Sequence, residues 1–126
     1  MQIKDRTGII PPLKRGDVYM VSLDRAAGST TSDARPALII QNDVGNKFSP
    51  ITIVAPISWA KEIPRPLPIT IFLEKGEAGL NEESYVDCGQ IRTVNKEERL
   101  ISKCGTLDKP KMKEVDKALR ISLSID

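Results

Sequence analysis

The sequence predicts a small, mainly β domain: a strongly curved antiparallel sheet or partial barrel with one α-helix at its C-terminal end. Two observations support this fold class. Six short apolar segments, separated by turn-forming residues, lie within residues 18–107, whereas residues 108–125 carry apolar side chains at helical spacing. The chain has 126 residues, which is enough for one domain with a core of its own.

The strand predictions rest on apolar runs that end at Gly, Pro, Asn or charged clusters. The third run is apolar nearly throughout, so we expect both of its faces to be covered. Pro56 cannot donate to a sheet ladder and predicts a sheet edge or bulge there, and Gly89 predicts a bulge or a point of close approach. The predicted strands are 18–23, 37–41, 51–57, 69–73 and 84–94, with a further short strand at 100–107.

The remaining segments follow from the same rules. Asp108 can cap a helix and Pro110 is acceptable in its first turn, so an amphipathic helix begins here; its apolar stripe is Met112, Val115, Leu119 and Leu123. Residues 24–34 and 59–68 are predicted to be long loops. Residues 1–13 are predicted to be an N-terminal extension, either mobile and disordered or loosely draped over the domain. Residues 14–126 are predicted to be the folded domain.

Composition excludes several function classes. Lys and Arg number 19 against 17 Asp and Glu, and a net charge of +2 neither requires nor excludes a nucleic-acid partner. The absence of histidine removes histidine-based catalysis and metal ligation. Cys88 and Cys104 are not in a C-x-x-C motif, so we expect ordinary thiols, no metal and no cofactor. Without an apolar run of about 20 residues or a signal peptide, we expect a cytoplasmic protein that does not enter membranes.

Several segments, in order and spacing, resemble the MazF/PemK toxin family of bacterial toxin–antitoxin modules. The resemblance covers nearly the whole chain from residue 14 onward. The matching segments are R-G-D-V-Y at 15–19, G-S…R-P at 28–36, A-L-I-I-Q-N-D at 37–43, G-N-K-F-S-P at 45–50, I-V-A-P-I-S at 53–58, G-Q-I-R-T-V at 89–94 and M-K-E-V-D-K-A-L-R-I-S-L at 112–123.

This resemblance implies an SH3-like partial barrel of the CcdB/Kid type and a homodimer with an RNA groove across its interface. It implies a metal-independent, sequence-specific endoribonuclease that cleaves single-stranded mRNA and stops translation and growth. The attacking group is the RNA's own 2′-hydroxyl, which leaves a 2′,3′-cyclic phosphate and a 5′-hydroxyl. It further implies a cognate antitoxin whose acidic C-terminal segment occupies the groove, with DNA contacted only through that antitoxin.

The resemblance assigns the catalytic roles to Arg35 and Ser58. A guanidinium is planar, always charged and forked toward phosphate, which suits it to stabilise charge on the non-bridging oxygens. Pro36 biases Arg35 toward extended backbone. Ser58 stands where the family has threonine, and its hydroxyl can still donate to a phosphate oxygen although it is less rigid. The alternatives are a strand-end arginine paired with a carboxylate and a serine that satisfies a backbone group.

The resemblance also implies RNA contacts from the loop before Arg35. Many family members have G-S-E-Q there, and this chain replaces the glutamate with Thr30, which leaves cleavage rate and sequence preference open. Asp33 lies in the same loop and could substitute for the glutamate. The loop residues assigned to RNA binding are Gly28, Ser29, Thr30 and Thr31, with solvated loop polarity as the alternative for the two threonines.

Two further RNA-binding candidates lie outside that loop. Gln90 matches an RNA-contacting position of the family, although the preceding residue, often glutamate, is Gly89. Trp59 follows Ser58 at the start of the proline-rich loop and is a candidate for base stacking or antitoxin contact. The alternative for Trp59 is a hydrophobic anchor of the loop.

Two other functions remain open at this point. A toxin of the same fold could poison a topoisomerase without catalysis, as the CcdB gyrase poisons do; they lack the Arg-Pro and strand-three hydroxyl pair present here. A weakened or non-catalytic family member could retain only antitoxin and operator-complex binding, which the altered loop keeps possible.

Overall fold

The computed structural model describes residues 12–23 and 34–126. Within these two ranges, seven strands form one antiparallel sheet in which β3 occupies a central position. The strands are β1 (Asp17–Ser22), β2 (Ala34–Ile39), β3 (Ile51–Trp59), β4 (Thr70–Leu73), β5 (Ser84–Asp87), β6 (Arg92–Asn95) and β7 (Leu100–Thr106). The helices are α1 (Asp43–Phe48), α2 (Lys96–Arg99) and α3 (Lys109–Leu123), with short 3₁₀ turns at Ala60–Glu62 and Glu77–Gly79.

The strand order explains how the sheet can curve without closing. The order is β4-β5-β3-β2-β1-β7, and β6 pairs with the first half of β3 beside β5. Strands β4 and β7 therefore end the sheet, and within the described residues they do not pair with each other. The predicted mainly β fold with a C-terminal helix is confirmed, and the barrel stays open.

Alternating side chains divide the core into two clusters on opposite faces of the sheet. One contains α3, through Val115 and Ala118, and we call it the helix-side cluster; its strand members include Leu38, Ala55, Ile57, Ile71 and Val86. The other, the second cluster, contains Leu13, Tyr19, Val21, Leu23, Ala37, Ile39, Val54, Val94 and Leu100. Because nearly continuous apolar runs fill both faces, the central strands are covered on both sides, as the third run predicted.

Helix α3 forms where its sequence predicts it. Asp108 Oδ1 accepts a hydrogen bond from the Lys111 backbone N–H at 2.9 Å, and Pro110 lies in the first turn. Ser124 ends the helix in the left-handed region, with its N–H donating to the Arg120 carbonyl. The helix therefore has a defined beginning and end, and its buried stripe holds it against the sheet.

The prediction of one strand at 84–94 is wrong. The segment forms β5 and β6, which pair with different halves of β3, and a turn at 88–91 separates them. Asp87 Oδ1 accepts the Gly89 N–H at 2.8 Å, which turns the chain locally. A Cβ at residue 89 would collide with the Ile69 side chain, so the predicted close approach at Gly89 is confirmed while the continuous strand is not.

Pro56 lies neither at an edge of the sheet nor in a terminal strand, contrary to its prediction. It pairs with Ala37 in the β2–β3 register. On the other edge of β3, β6 pairs with residues 51–54 and β5 with residues 57–59. Pro56 thus falls in the gap between the two partners, where the ladder needs no donor from it.

Two short helices were not predicted, because capping rather than periodicity forms them. Asn42 accepts the Gly45 N–H at 2.8 Å at the start of α1, and Asn95 accepts the Glu98 N–H at 2.9 Å at the start of α2. At the N-terminal end, Leu13 is only 4% exposed and belongs to the second cluster. Residues 1–11 lie outside the described residues, so the extension stays a prediction. No described helix is long and apolar enough to cross a membrane.

Candidate functional site

Arg35 lies at the start of β2 with its side chain exposed to solvent. It pairs with Val21 of β1 in the antiparallel register, and the following Pro36 is buried. No carboxylate among residues 12–23 and 34–126 forms an ion pair with it. The alternative of a surface ion pair therefore finds no support in the described part of the chain.

Ser58 lies near the end of β3, half-buried, on the strand next to Arg35. The β2–β3 register pairs Ala37 with Pro56 and Ile39 with Val54. Arg35 is two residues from Ala37 and Ser58 is four residues from Val54, and Ala37 and Val54 both belong to the second cluster, so alternation places Arg35 and Ser58 on the same face of the sheet. That face is the one opposite α3, because the intervening Ile57 belongs to the helix-side cluster.

Beside Ser58 the sheet opens into a cavity of about 380 Å³, which we call the outer cavity. This volume lies in the range of about 300–1,000 Å³ found for ligand pockets. Strands β3, β4 and β5 form its floor and the proline-rich loop forms its wall. Its lining residues are Ser58, Ile63, Pro64, Arg65, Leu67, Thr70, Tyr85, Asp87 and Gln90.

The register of β3, β4 and β5 explains why these floor residues meet. Tyr85 pairs with Ser58 on one side and with Phe72 on the other, and Asp87 pairs with Thr70. Residues two apart on a strand share a face, so Tyr85 and Asp87 both point into the cavity. Their neighbour Val86 points into the helix-side cluster. One strand thus supplies core on one face and polar groups on the other.

Asp87 is held in place by two hydrogen bonds. Its Oδ1 accepts the Gly89 N–H at 2.8 Å, and its Oδ2 accepts the Gln90 Nε2–H at 2.8 Å. On the paired strand, the Thr70 hydroxyl donates to the Leu67 carbonyl at 2.6 Å, which ties the loop to β4. Gln90, predicted as an RNA contact, therefore lies at the cavity with its amide engaged by the carboxylate.

Trp59 lies on the other side of β3 from Ser58. It pairs with Ser84, whose side chain is buried, and successive residues of a strand face opposite ways. Trp59 does not line the outer cavity and is half-buried. This position favours the alternative of a hydrophobic loop anchor over base stacking in this cavity.

Gly28, Ser29, Thr30, Thr31 and Asp33 lie outside the described residues. The two ends of their loop are described. At one end the Leu23 carbonyl accepts a hydrogen bond from an Arg92 Nη at 2.7 Å, and Leu23 is buried. At the other end the loop meets Arg35. Ser22 pairs with Ala34 and Val21 with Arg35, so both ends of the loop join the sheet beside Arg35.

Sequence reasoning missed the most informative groups of the cavity, Arg65, Tyr85 and Asp87. Arg65 was assigned only to a long loop. The alternation around Val86, with a polar side chain on each side of a buried valine, indicated a strand with one open face. This alternation did not indicate which strands would pair beside it, because strand pairing brings together residues that are distant in sequence.

The cysteines lie away from the polar face. Cys88 is fully buried, and its pKa is raised to about 11, first by burial and then by the Asp87 charge. Cys104 is half-buried, and burial raises its pKa as well. Both are ordinary protonated thiols, as predicted. In the described ranges, no three His, Cys, Asp or Glu side chains form a group that could hold a metal ion.

Sequence comparison finds the family described as PemK-like, MazF-like toxin of type II toxin–antitoxin system over residues 14–123. Endoribonuclease EndoA of Bacillus subtilis (strain 168) is 42% identical over 113 residues, which span 90% of this chain and 96% of EndoA. Among solved structures, an endoribonuclease from a mycobacterial species matches with a TM-score of 0.72 at 22% identity, over 91% of this chain and 94% of the other. A mycobacterial endoribonuclease in complex with its cognate antitoxin matches with a TM-score of 0.69 at 22% identity, over 91% and 96%. The structural matches confirm the fold.

Proposed function

The chain belongs to the PemK-like, MazF-like toxins of type II toxin–antitoxin systems, and we propose that it is an endoribonuclease that cleaves single-stranded RNA. Its relative EndoA carries that activity in its name. Cleavage of mRNA stops translation and growth until a cognate antitoxin binds the toxin and blocks its RNA groove. The protein works in the cytoplasm, where both mRNA and antitoxin are made.

The observation that carries this proposal is that Arg35 and Ser58 lie on paired strands with their side chains on one face of the sheet. Each lies near the end of its strand, and the shared face is the one away from α3. A permanently charged guanidinium beside a hydroxyl donor matches the needs of a phosphodiester whose charge increases during the reaction. The outer cavity adjoins Ser58 and offers room for the neighbouring nucleotide.

The chemistry is a transesterification within the RNA. The substrate 2′-oxygen forms a bond to the adjacent phosphorus as the bond from phosphorus to the 5′-oxygen breaks. The 2′-hydroxyl proton leaves and the 5′-oxygen gains one, so the products are a 2′,3′-cyclic phosphate and a 5′-hydroxyl. Arg35 and Ser58 orient the phosphate and stabilise its non-bridging oxygens, which suits a chain without histidine because the nucleophile belongs to the substrate.

The proposal includes two partners. A second copy of the chain forms a homodimer that completes a groove for RNA. A cognate antitoxin inhibits the toxin by laying an extended acidic segment in that groove, where its carboxylates take the place of RNA phosphates beside Arg35. A solved relative of the same fold is in complex with its antitoxin, which supports the partner class.

The test is incubation of the purified protein with a long unstructured RNA in the presence of EDTA. We expect discrete fragments, with 5′-hydroxyl ends mapped by primer extension and 2′,3′-cyclic phosphates identified by mass spectrometry. A second RNA carries 2′-deoxyribose at the nucleotide on the 5′ side of a mapped cut, and cleavage should be lost at that bond alone. Intact RNA at high protein concentration, or cleavage that survives the deoxyribose, would refute the proposal. Intact RNA would leave the binding-only and topoisomerase hypotheses.

A further inference from the structure

The outer cavity contains a group that the proposed cleavage step does not use. Asp87 is a carboxylate on the floor of the cavity that Ser58 also lines. RNA is a polyanion, and a carboxylate placed to meet its backbone would repel it. A carboxylate at this position therefore has to meet the part of a nucleotide that carries hydrogen-bond donors, which is the edge of the base.

Asp87 is prepared for such a contact. Its two hydrogen bonds, from the Gly89 N–H and the Gln90 amide, are both 2.8 Å and fix the carboxylate plane. A carboxylate has two oxygens and about four lone-pair positions, so one further donor can be accepted by each oxygen. The cavity thus offers two parallel acceptors in a fixed orientation.

Guanine matches this arrangement best among the four bases. Its Watson–Crick edge carries two adjacent donors, N1–H and the N2 amino group, and its opposite side carries the acceptors O6 and N7. Adenine and cytosine carry one amino donor beside an acceptor nitrogen, and uracil carries a single N–H between two carbonyls. Two fixed acceptors therefore leave an unsatisfied or repelled atom with every base except guanine.

Two other lining residues complement a guanine. Arg65 also lines the cavity, and a guanidinium can donate to guanine O6 and N7. Tyr85 provides an aromatic ring, held by an edge contact with Phe72 at 5.5 Å between centroids, for stacking. Tyr85 also pairs with Ser58, and Asp87 lies at the diagonal position, about 7–8 Å away for such pairs.

We propose that the outer cavity is a guanine-specific subsite, with Asp87 as the specificity-determining residue and Gln90 as the residue that positions it. This inference rests on the proposed function, since it names one base of the RNA that the toxin recognises. Because Ser58 and Tyr85 are neighbours, the recognised guanine lies next to the bond that is cut.

Binding to short 2′-fluoro oligonucleotides, which lack the attacking hydroxyl, tests the subsite separately from cleavage. A uridine heptamer receives one central guanosine, inosine, adenosine or cytidine, and its affinity is measured by fluorescence anisotropy. A bidentate contact predicts that guanosine binds about 5- to 150-fold more tightly than adenosine or cytidine. Inosine lacks only the N2 amino group, so it should lose most of that preference.

The variant Asp87→Asn replaces one acceptor by a donor and should reduce the guanosine preference to about threefold or less. Asp126→Asn, at the exposed C-terminal residue, makes the same change of charge and should keep the preference. Circular dichroism checks that both variants fold. The inosine comparison needs no variant and stays decisive if Asp87→Asn does not fold.

The outcomes separate the two proposals. The subsite would be overturned if all heptamers bound equally or too weakly to measure. It would also be overturned if the inosine heptamer bound as tightly as the guanosine heptamer, or if Asp87→Asn kept the wild-type preference for guanosine. The corresponding all-ribose oligonucleotides are incubated in parallel. A guanosine preference without cleavage would refute the proposed enzyme and retain the subsite, whereas cleavage without any guanosine preference would do the reverse.

Discussion

Asn46 in α1 joins three elements, and its removal should destabilise the fold measurably. Asn46 is 2% exposed. Its side-chain oxygen accepts from the Thr52 hydroxyl at 2.7 Å and from Gln41 Nε2 at 3.2 Å, while its amide donates to the Gln41 carbonyl at 2.9 Å and to Asp43 Oδ1 at 3.3 Å. Its backbone carbonyl accepts from Lys96 Nζ at 2.6 Å. The network fixes α1 to the start of β3 and to α2.

Asn46→Ala should cost about 3 kcal/mol of unfolding free energy. Thr52 is 0% exposed, so its orphaned hydroxyl alone costs about 1–3 kcal/mol, and the lost hydrogen bonds to Gln41 add about 1 kcal/mol each at most. At roughly 4 °C per kcal/mol for a chain of this size, the Tm should fall by about 12 °C. Asn81→Ala, at an exposed loop position, is the control and should change stability by less than about 0.5 kcal/mol.

Urea and thermal unfolding, followed by circular dichroism at one fixed protein concentration, measure the loss. Thr52→Val removes the hydroxyl that Asn46→Ala leaves unpaired, so the double variant should recover about 1–2 kcal/mol relative to the sum of the single changes. A Tm change under 3 °C for Asn46→Ala, or strictly additive effects, would refute the reasoning that this buried network stabilises the fold.

Three other perturbations give distinct results. Ser58→Thr restores a stiffer hydroxyl and should keep or raise the cleavage rate, and a loss of more than about tenfold in single-turnover assays would contradict its assigned role. Alkylation by iodoacetamide at pH 8 should be slow at Cys104 and absent at Cys88 until the protein unfolds, because burial raises both thiol pKa values, that of Cys88 to about 11; mass spectrometry locates the adducts. Burial also raises the pKa of Tyr19, so its contribution to stability is complete below the unfolded value near 10 and is lost as pH rises through the folded pKa. Phenolate absorbance at 295 nm should include a phase in which Tyr19 ionises above its ordinary pKa, and the absence of that phase would contradict its burial.

Sequence periodicity correctly predicted those elements whose structure depends mainly on their own residues. The apolar stripe that includes Val115 and the capping residue Asp108 predicted helix α3, which the structure contains. The apolar run of β3 predicted a strand with two covered faces. Where pairing with another strand determines the structure, the sequence was insufficient. Pro56 falls between the two strands that pair with β3, and nothing in the local sequence distinguishes that gap from a sheet edge.

The candidate site was predictable only in part for the same reason. Arg35 and Ser58 were identified from the family resemblance, and the pairing of β2 with β3 shows what the sequence could not, that the two residues share a face of neighbouring strands. Asp87 and Arg65 belong to no recognisable motif. They meet because the outer cavity is formed by a strand face and a loop, and the two residues are 22 positions apart in the sequence. Helix α1 was missed because one capping amide, that of Asn42, outweighs a glycine within six residues.

The most direct test of the account is the single-turnover cleavage rate of Arg35→Ala beside Arg120→Ala. Arg120 is an exposed arginine on α3, across the sheet from the candidate site, so it controls for loss of one positive charge. Removing a preorganised donor to a developing oxyanion costs about 10²- to 10³-fold in rate, and we expect at least that loss for Arg35→Ala with its Tm unchanged. Arg120→Ala should cleave at the wild-type rate. Equal rates for the two variants would contradict the assignment of Arg35 to the scissile phosphate.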